Sequence, residues 1–168
     1  MKKTVIVING AGGVGKDTLC DLAAKHFKVK NISSITPIKN IAKECGWGGE
    51  KDDKARKFLS DLKRTLVEYN DYPTTWAIGQ YEKFLSLDEE VMFVHIREAE
   101  EIEKLVKGTG GAAKTLLVRG GDRMKKTAYG NASDDLVEAY SYDYYYVNDK
   151  TLDVAEREFC ELISQIIG

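Results

Sequence analysis

The sequence predicts an α/β fold, a three-layer sandwich with helices on both faces of a five-stranded parallel sheet. Apolar, β-branched runs of strand length alternate with amphipathic segments along all 168 residues. Strands that are separated by helices pair in parallel through right-handed crossovers, which places helices on both faces of the sheet. Because no linker, repeat or low-complexity tract interrupts this alternation, we predict a single domain over residues 1–168.

The first half of the chain contains two predicted strands and four predicted helices. An uninterrupted β-branched run predicts a central strand over Thr4–Ile8, because such a run suits a strand that is covered on both faces. The other elements of this half are a helix from Gly15 with Leu19, Leu22 and Ala23 on one side, a strand over Val29–Ile35, a short helix that Pro37 opens, a helix from Asp53 with apolar residues at helical spacing, and a helix over Thr75–Leu85. Residues 37–87 exceed what one crossover needs, so we expect a helical insertion that closes over a substrate.

The second half contains three predicted strands and two predicted helices. Val91–Ile96, Thr115–Val118 and Tyr144–Val147 are short runs rich in β-branched and aromatic residues, which favour strands. Apolar residues at helical spacing predict a helix over 99–106 and a terminal helix over 152–166. A loop rich in glycine, lysine and arginine follows the fourth strand, and we interpret residues 119–133 as a lid over a bound ligand.

Composition argues against several classes of protein. Hydrophobic residues make up 43% and charged residues 31% of the chain, which favours a packed core over disorder. The formal net charge of -2 argues against duplex nucleic acid as the main partner. No apolar run reaches the roughly 18 residues of a membrane span, and the run after Lys3 leads into a glycine loop rather than a signal cleavage site. We expect a cytoplasmic monomer or homodimer with reduced cysteines.

The strongest chemical signal is the segment Gly10–Thr18, which reads Gly-Ala-Gly-Gly-Val-Gly-Lys-Asp-Thr. It follows the first strand, opens the first helix and matches the phosphate-loop pattern G-x-x-x-x-G-K. Backbone N–H groups of such a loop converge on phosphate oxygens, and Lys16 adds a full positive charge near the β and γ phosphates. The predicted triphosphate-binding residues are Gly10, Gly12, Gly13, Val14, Gly15, Lys16, Asp17 and Thr18.

Asp17 stands where the phosphate-loop pattern usually has serine or threonine, and Thr18 follows one residue later. An acidic side chain at this position could hold the water molecules of a bound Mg²⁺ ion, which keeps much of its hydration shell. It could equally stabilise the positive N-terminal end of the helix without any metal. The sequence leaves both roles open.

These residues resemble the P-loop nucleoside and nucleotide kinases, most closely the phage-type deoxynucleoside monophosphate kinases, whose loops carry Gly-Lys-Asp-Thr. Dephospho-coenzyme A kinases are more distantly similar. The resemblance covers most of the chain and is sharp in patches. It implies a five-stranded parallel sheet of the P-loop NMP-kinase type, a helical acceptor-binding insertion at 37–87, a mobile lid, and ATP and Mg²⁺ as cofactors.

The resemblance also implies roles for basic residues beyond the loop. Arg56 and Arg64 lie in a segment similar to the family's acceptor-binding helix, and their alternative role is the solvated face of an amphipathic helix. Arg119 and Arg123 stand where lid arginines are expected, and their alternative is a charged surface loop. We predict Lys16, Arg119 and Arg123 as catalytic residues, because a planar guanidinium group binds phosphate oxygens in pairs.

The end of the third strand departs from the family pattern. His95-Ile96-Arg97-Glu98 is similar to the family's Asp-x-Arg and acidic residue, but His95 replaces the aspartate that supports Mg²⁺. Asp17 or Glu98 would then take over the metal, or nucleotide and water would hold it. Arg97 lies at the carboxyl edge of the sheet, where we expect it to bind substrate or form a structural ion pair. His95 is interpreted as a hydrogen-bonded histidine near the core.

The sequence thus predicts an ATP- and Mg²⁺-dependent kinase that transfers a phosphoryl group to a nucleoside monophosphate, with deoxynucleotides among the candidates. One alternative is a kinase of another small molecule, such as dephospho-coenzyme A, whose hydroxyl acceptor would need a carboxylate base near the loop. The sequence offers no clear base beyond Asp17. The alternative of a different class is a non-catalytic ATP- or GTP-binding regulatory module, although Asn148-Asp149-Lys150 does not reproduce the guanine motif Asn-Lys-x-Asp.

Overall fold

The computed structural model describes residues 2–121 and 136–168 of the chain. In those residues, strands and helices alternate as the sequence predicts. The elements are β1 (Thr4–Asn9), α1 (Lys16–Ala23), β2 (Val29–Ser33), α2 (Thr36–Glu44), α3 (Asp53–Asn70), α4 (Tyr72–Phe84), β3 (Val91–His95), α5 (Ala99–Gly108), β4 (Ala113–Gly120), a short 3-10 helix (Leu136–Ala139), β5 (Tyr144–Asn148) and α6 (Leu152–Ile167).

The five strands form one parallel sheet in the order β2-β3-β1-β4-β5. All six residues of β1 are buried, since this strand lies at the centre of the sheet and is covered on both faces. Parallel pairing brings the carboxyl ends of all five strands to one edge, where α/β proteins bind ligands. The predicted three-layer α/β fold is therefore confirmed.

The core lies on both faces of the sheet because side chains of β1 alternate between them. Ile6 and Ile8 pack with residues of α1 and α6, among which Phe159 is fully buried. Val5 and Val7 face the other layer, which α4 and α5 cover. Burial of one such aliphatic or aromatic side chain stabilises the fold by about 1.5–3 kcal/mol, so the sheet holds the functional edge on a rigid base.

The start of α4 differs from the prediction. The helix begins at Tyr72 rather than Thr75, because Pro73 occupies its first turn, where the missing N–H has no partner to lose. Asp71 has a φ of 57° and separates α3 from α4 as a single left-handed residue. Residues 122–133 of the predicted lid, including Arg123, lie outside the described residues. No helix of the described chain is long and apolar enough to cross a membrane.

Candidate active site

The connection from β1 to α1 encloses a cavity of about 280 Å³. Every residue from Gly10 to Thr18 lines this cavity, and Arg97 from the β3–α5 connection joins them. The structure therefore brings all the predicted loop residues together around one space. Lys16 is the first residue of α1, so its position is fixed by the start of the helix.

Two glycines give this loop its curvature, and a third lets it lie close to the sheet. Gly13 and Gly15 have φ values of 82° and 83°, which side chains with a Cβ rarely adopt. A Cβ on Gly10 would lie 2.7 Å from the carbonyl oxygen of Val118 in β4. The loop thus forms a backbone cradle that larger residues would distort.

The N-terminus of α1 provides the electrostatic part of the cradle. Gly15 is the N-cap residue, and no side chain caps the helix by a hydrogen bond. The first N–H groups of a helix have no partner inside the helix, and the helix dipole places partial positive charge there. An anion in the cavity would receive those donors and the charge of Lys16. These features fit the phosphates of a nucleoside triphosphate.

A second cavity, of about 700 Å³, opens beside the first. Three parts of the fold line it along with Lys16 and Asp17. They are the end of β2 and the start of α2 (residues 31–36 and Lys39), one face of α3 (Arg56, Leu59, Ser60 and Lys63), and the end of β3 with the residues after it (His95, Arg97 and Glu98). The predicted insertion thus contributes α2 and α3 to the wall of a cavity at the functional edge.

The two cavities share three lining residues, Lys16, Asp17 and Arg97. One molecule in the loop cavity and another in the larger cavity would therefore approach each other beside these side chains. Proximity of two bound reactants is the main requirement of a group-transfer site. The geometry thus supplies a place where a donor and an acceptor meet.

Positive charge in the larger cavity is distributed unevenly. Lys63 forms ion pairs with Glu101 at 3.0 Å and with Glu98 at 3.3 Å, so two carboxylates neutralise it. Burial raises the pKa of Glu101, although the charge of Lys63 opposes this shift. Within residues 2–121 and 136–168, Lys39 and Arg56 have no ion-pair partner. Both are exposed toward solvent, and their charges are available to an anionic ligand.

His95 is the last residue of β3 and lines the larger cavity. Its Nε2 donates a hydrogen bond to the Oδ1 of Asn31 at 2.6 Å, and its Nδ1 lies 3.8 Å from the Oδ1 of Asp17. The side chain is 11% exposed. Burial, together with the charge of Lys16, lowers the pKa of His95 to about 4, while Asp17 opposes the shift. The imidazole is therefore neutral near pH 7, and the interpretation as a hydrogen-bonded histidine near the core is confirmed.

The two predicted metal-binding carboxylates occupy different positions. Asp17 lines both cavities and its side chain is 89% exposed, so its oxygens face the space beside the phosphate loop. Glu98 lines only the larger of these two cavities and is ion-paired with Lys63. No cluster of three histidine, cysteine or acidic residues that could hold a metal occurs in the described part of the chain. Of the two residues, Asp17 with its exposed carboxylate is the one that would contribute, which fits a Mg²⁺ ion that phosphate oxygens and water mainly hold.

The structure does not bring all the predicted basic residues to the cavities. Arg64 forms an ion pair with Asp61 at 3.0 Å, and its side chain is 63% exposed. Arg119 donates two hydrogen bonds to Glu138, at 2.8 and 3.0 Å, and its Cζ lies 4.5 Å from the ring centroid of Tyr145. Neither arginine lines the loop cavity or the larger cavity.

The site residues predicted from the sequence do not include several side chains that line the larger cavity. They are Asn31, Ser33, Ser34, Thr36, Lys39 and Lys63. The carboxyl end of the second predicted strand indicates Ser33, Ser34 and Thr36, because parallel strands end at the edge where α/β proteins bind ligands. For Lys63 the signal was helical spacing, since it follows Arg56 by seven residues, or two turns.

Comparisons with known proteins bear on the fold. No family model matches the chain, and no curated protein matches its sequence. A provisionally assigned kinase from Chloroflexus aurantiacus has a TM-score of 0.55 and 12% identity, and the match covers 98% of both chains. A sugar kinase from Janibacter sp. HTCC2649 has a TM-score of 0.50 and 16% identity over 98% of this chain and 94% of that one. An uncharacterised protein from Eubacterium ventriosum aligns with a TM-score of 0.51 and 15% identity, and the match covers 98% of this chain and 99% of that one.

At identities this low the likeness establishes the fold alone. The sheet order, the loop at the end of β1 and these likenesses together define the class of the protein, an α/β sandwich with the fold of P-loop kinases.

Proposed function

We propose that the protein is a phosphotransferase that moves the terminal phosphoryl group of ATP to a nucleoside monophosphate. The observation that carries this proposal is the shared wall of Lys16, Asp17 and Arg97 between the loop cavity and the larger cavity. Phosphoryl transfer depends chiefly on bringing donor and acceptor into line and on neutralising the charge of the transferred group. A site built from two adjoining cavities with cations at their junction meets both needs.

The phosphate loop is the proposed donor site. Its backbone N–H groups and the N-terminus of α1 bind the triphosphate oxygens, and Lys16 neutralises charge near the phosphate to be transferred. Asp17 would hold water molecules of a magnesium ion. When bound, that ion supplies further charge neutralisation on the phosphates. Gly13 and Gly15 keep the loop open enough for its backbone to approach the ligand.

The larger cavity is the proposed acceptor site. Lys39 and Arg56 supply positive charge to it, and Arg97 lies at its junction with the donor site. An acceptor that carries a phosphate group suits this charge, and the volume of about 700 Å³ can take a nucleotide-sized molecule. A phosphate oxygen of such an acceptor is already anionic, so no general base has to remove a proton. The neutral imidazole of His95 is consistent with that chemistry.

Arg119 and Arg123 remain proposed stabilisers of the transferring charge. In the present arrangement the guanidinium of Arg119 is bound to Glu138, so it would have to exchange that carboxylate for phosphate oxygens. Guanidinium groups bind carboxylate and phosphate with the same two-pronged geometry, which makes the exchange chemically reasonable. Arg123 lies outside the described residues.

Phosphorylation of a hydroxyl group is the second candidate function. Asp17 favours it, because an exposed carboxylate beside the phosphate loop could accept the proton of a hydroxyl acceptor. Similarity to a sugar kinase from Janibacter also favours it. The positive charge of Lys39 and Arg56 favours the phosphate-bearing acceptor, and for that reason we rank the nucleoside monophosphate first.

One experiment separates these candidates. The purified protein is incubated with ATP and MgCl₂ and a panel of ribo- and deoxynucleoside monophosphates, and nucleoside diphosphate formation is followed by chromatography. A parallel panel contains sugars and dephospho-coenzyme A. We expect diphosphate product from at least one monophosphate. Product from the hydroxyl panel alone would support the second candidate, and ATP binding without any product would support a regulatory module.

A further inference from the structure

Asn9 is the last residue of β1, and its side chain is fully buried at the entrance to the phosphate loop. Its Oδ1 accepts a hydrogen bond from the N–H of Gly10 at 2.9 Å. Its Nδ2 donates to the carbonyl oxygen of Arg97 at 3.1 Å and to the Oη of Tyr142 at 2.9 Å. Both amide hydrogens and the amide oxygen are thus used, each by a different segment of the chain.

Two of these partners belong directly to the candidate active site. Gly10 is the first residue of the phosphate loop, and Arg97 lines both cavities. Asn9 therefore fixes the main chain of the loop relative to the main chain at Arg97. A shift of either segment would alter the distance between the donor and acceptor positions.

The third partner connects Asn9 to the segment that precedes β5. Tyr142 is 6% exposed, and its Oη donates to the carbonyl oxygen of Val137 at 2.7 Å. Val137 belongs to the 3-10 helix, which follows the segment predicted as the lid. The buried chain of hydrogen bonds thus runs from Gly10 through Asn9 and Tyr142 to Val137. Fully satisfied buried networks of this kind rigidify the groups that they join.

We infer that Asn9, supported by Tyr142, is a positioning residue that holds the phosphate loop in register with Arg97. This inference rests on the proposed function. Aspartate has nearly the same shape but could not donate to the Arg97 carbonyl, and it would place a negative charge beside the phosphate site. Leucine would leave the Gly10 N–H, the Arg97 carbonyl and the Tyr142 hydroxyl without this partner. Asparagine supplies both the acceptor and the two donors that this junction uses.

Tyr142→Phe is the most informative variant, because it removes the hydroxyl and keeps the ring that contacts Tyr140 and Tyr145. Tyr146→Phe is the matched control. Tyr146 is also a buried tyrosine, but its Oη donates to Glu158 and its ring packs on Phe159 in the core layer on the other face of the sheet. Asn9→Ala is the second test variant, since it removes all three bonds of the amide.

Two measurements are made on the full-length protein. Amide hydrogen exchange at Gly10 measures how firmly the first residue of the phosphate loop is held in place. Steady-state kinetics with MgATP and the best monophosphate of the panel measure how well the two reactants are positioned. We expect Tyr142→Phe and Asn9→Ala to accelerate exchange at Gly10 by about tenfold or more and to lower kcat more than they raise the KM for ATP. Tyr146→Phe should leave both readouts near wild type.

The outcomes distinguish this inference from the proposed function. If the wild type phosphorylates nothing in either panel, the proposed function fails, and exchange at Gly10 still decides the positioning role. If Tyr142→Phe and Tyr146→Phe give the same exchange at Gly10, the inference is overturned whatever the activity. A lower unfolding temperature with unchanged exchange at Gly10 and unchanged kcat would also overturn it, because the network would then contribute only to stability.

Discussion

Arg56 and Arg64 lie eight residues apart on α3, yet only Arg56 lines the larger cavity, while Arg64 forms an ion pair with Asp61. Eight residues turn an α-helix by about 80° beyond two full turns, so the two guanidinium groups leave the helix in different directions. Lys63, seven residues from Arg56, stays on the cavity face. The helix therefore provides its own matched pair of variants.

We predict that Arg56→Ala raises the KM for the acceptor by about tenfold or more, since a hydrogen bond to a charged group contributes about 1.5–3 kcal/mol. Arg64→Ala removes the same side chain from the outer face of the helix and should leave the KM within about twofold of wild type. Steady-state kinetics with the best monophosphate at saturating ATP measure both. Equal effects of the two substitutions would place the acceptor phosphate elsewhere.

Asn148 supports the phosphate loop from the end of β5. Its Nδ2 donates to the carbonyl oxygen of Val14 at 2.8 Å, and a Cβ on Gly15 would lie 2.5 Å from the same nitrogen. We predict that Asn148→Ala weakens MgATP binding by about tenfold, because a carbonyl left without its donor costs about 1–3 kcal/mol and the loop relaxes. Titration calorimetry measures the change. Asn70→Ala, at an exposed position in α3, should bind MgATP as the wild type does.

His95 should make the stability of the protein depend on pH. The unfolded chain takes up a proton on this histidine near pH 6.5, whereas the folded protein does so only near pH 4. The unfolded state therefore binds more protons between those values, and the free energy of unfolding falls as the pH falls through this window. At about 1.4 kcal/mol for each unit of pKa difference, the loss approaches about 3 kcal/mol and levels off below pH 4.

Urea unfolding at pH 7 and pH 4.5 tests this expectation. His95→Gln, which keeps a polar side chain, should lose less stability than the wild type between the two values. His26→Gln replaces a half-exposed histidine and should retain the dependence of the wild type. If both variants follow the wild-type curve, protonation of His95 does not oppose folding.

Arg119 is predicted to act on the transferred phosphoryl group after it leaves Glu138. Arg119→Ala should then lower kcat by about tenfold or more, because the guanidinium stabilises charge that develops in the transition state. Glu138→Gln removes the competing carboxylate charge and should leave kcat unchanged or higher. A purely structural role of the ion pair predicts a different result, in which both substitutions lower the unfolding temperature and neither lowers kcat.

The sequence was sufficient to predict the features that depend on local pattern. The buried run of β1, the helix that follows Gly15 and the glycine loop between them all follow from adjacent residues. The fold class follows from the alternation of strands and helices. The loop motif could be recognised because its residues are contiguous in the chain.

The features that the sequence could not supply depend on contacts between distant residues. Asn9 binds Arg97 and Tyr142, and Asn148 binds Val14 across 134 positions of the chain. No local pattern marks such partners. The face of α3 that lines the larger cavity depends on the direction of the helix relative to the sheet. Hydrophobic spacing does not fix that direction, since Ala55 alone is buried on this helix.

The most direct test of the central claim is a calorimetric titration of MgATP into the wild type and into Lys16→Ala, with Lys25→Ala as a surface control. We predict saturable binding at one site in the wild type and in Lys25→Ala. Lys16→Ala should bind at least about tenfold more weakly, because the lysine charge and the helix N-terminus act together on the phosphates. Absence of binding to the wild type, or equal binding to wild type and Lys16→Ala, would show that the loop from Gly10 to Thr18 is not the ATP site.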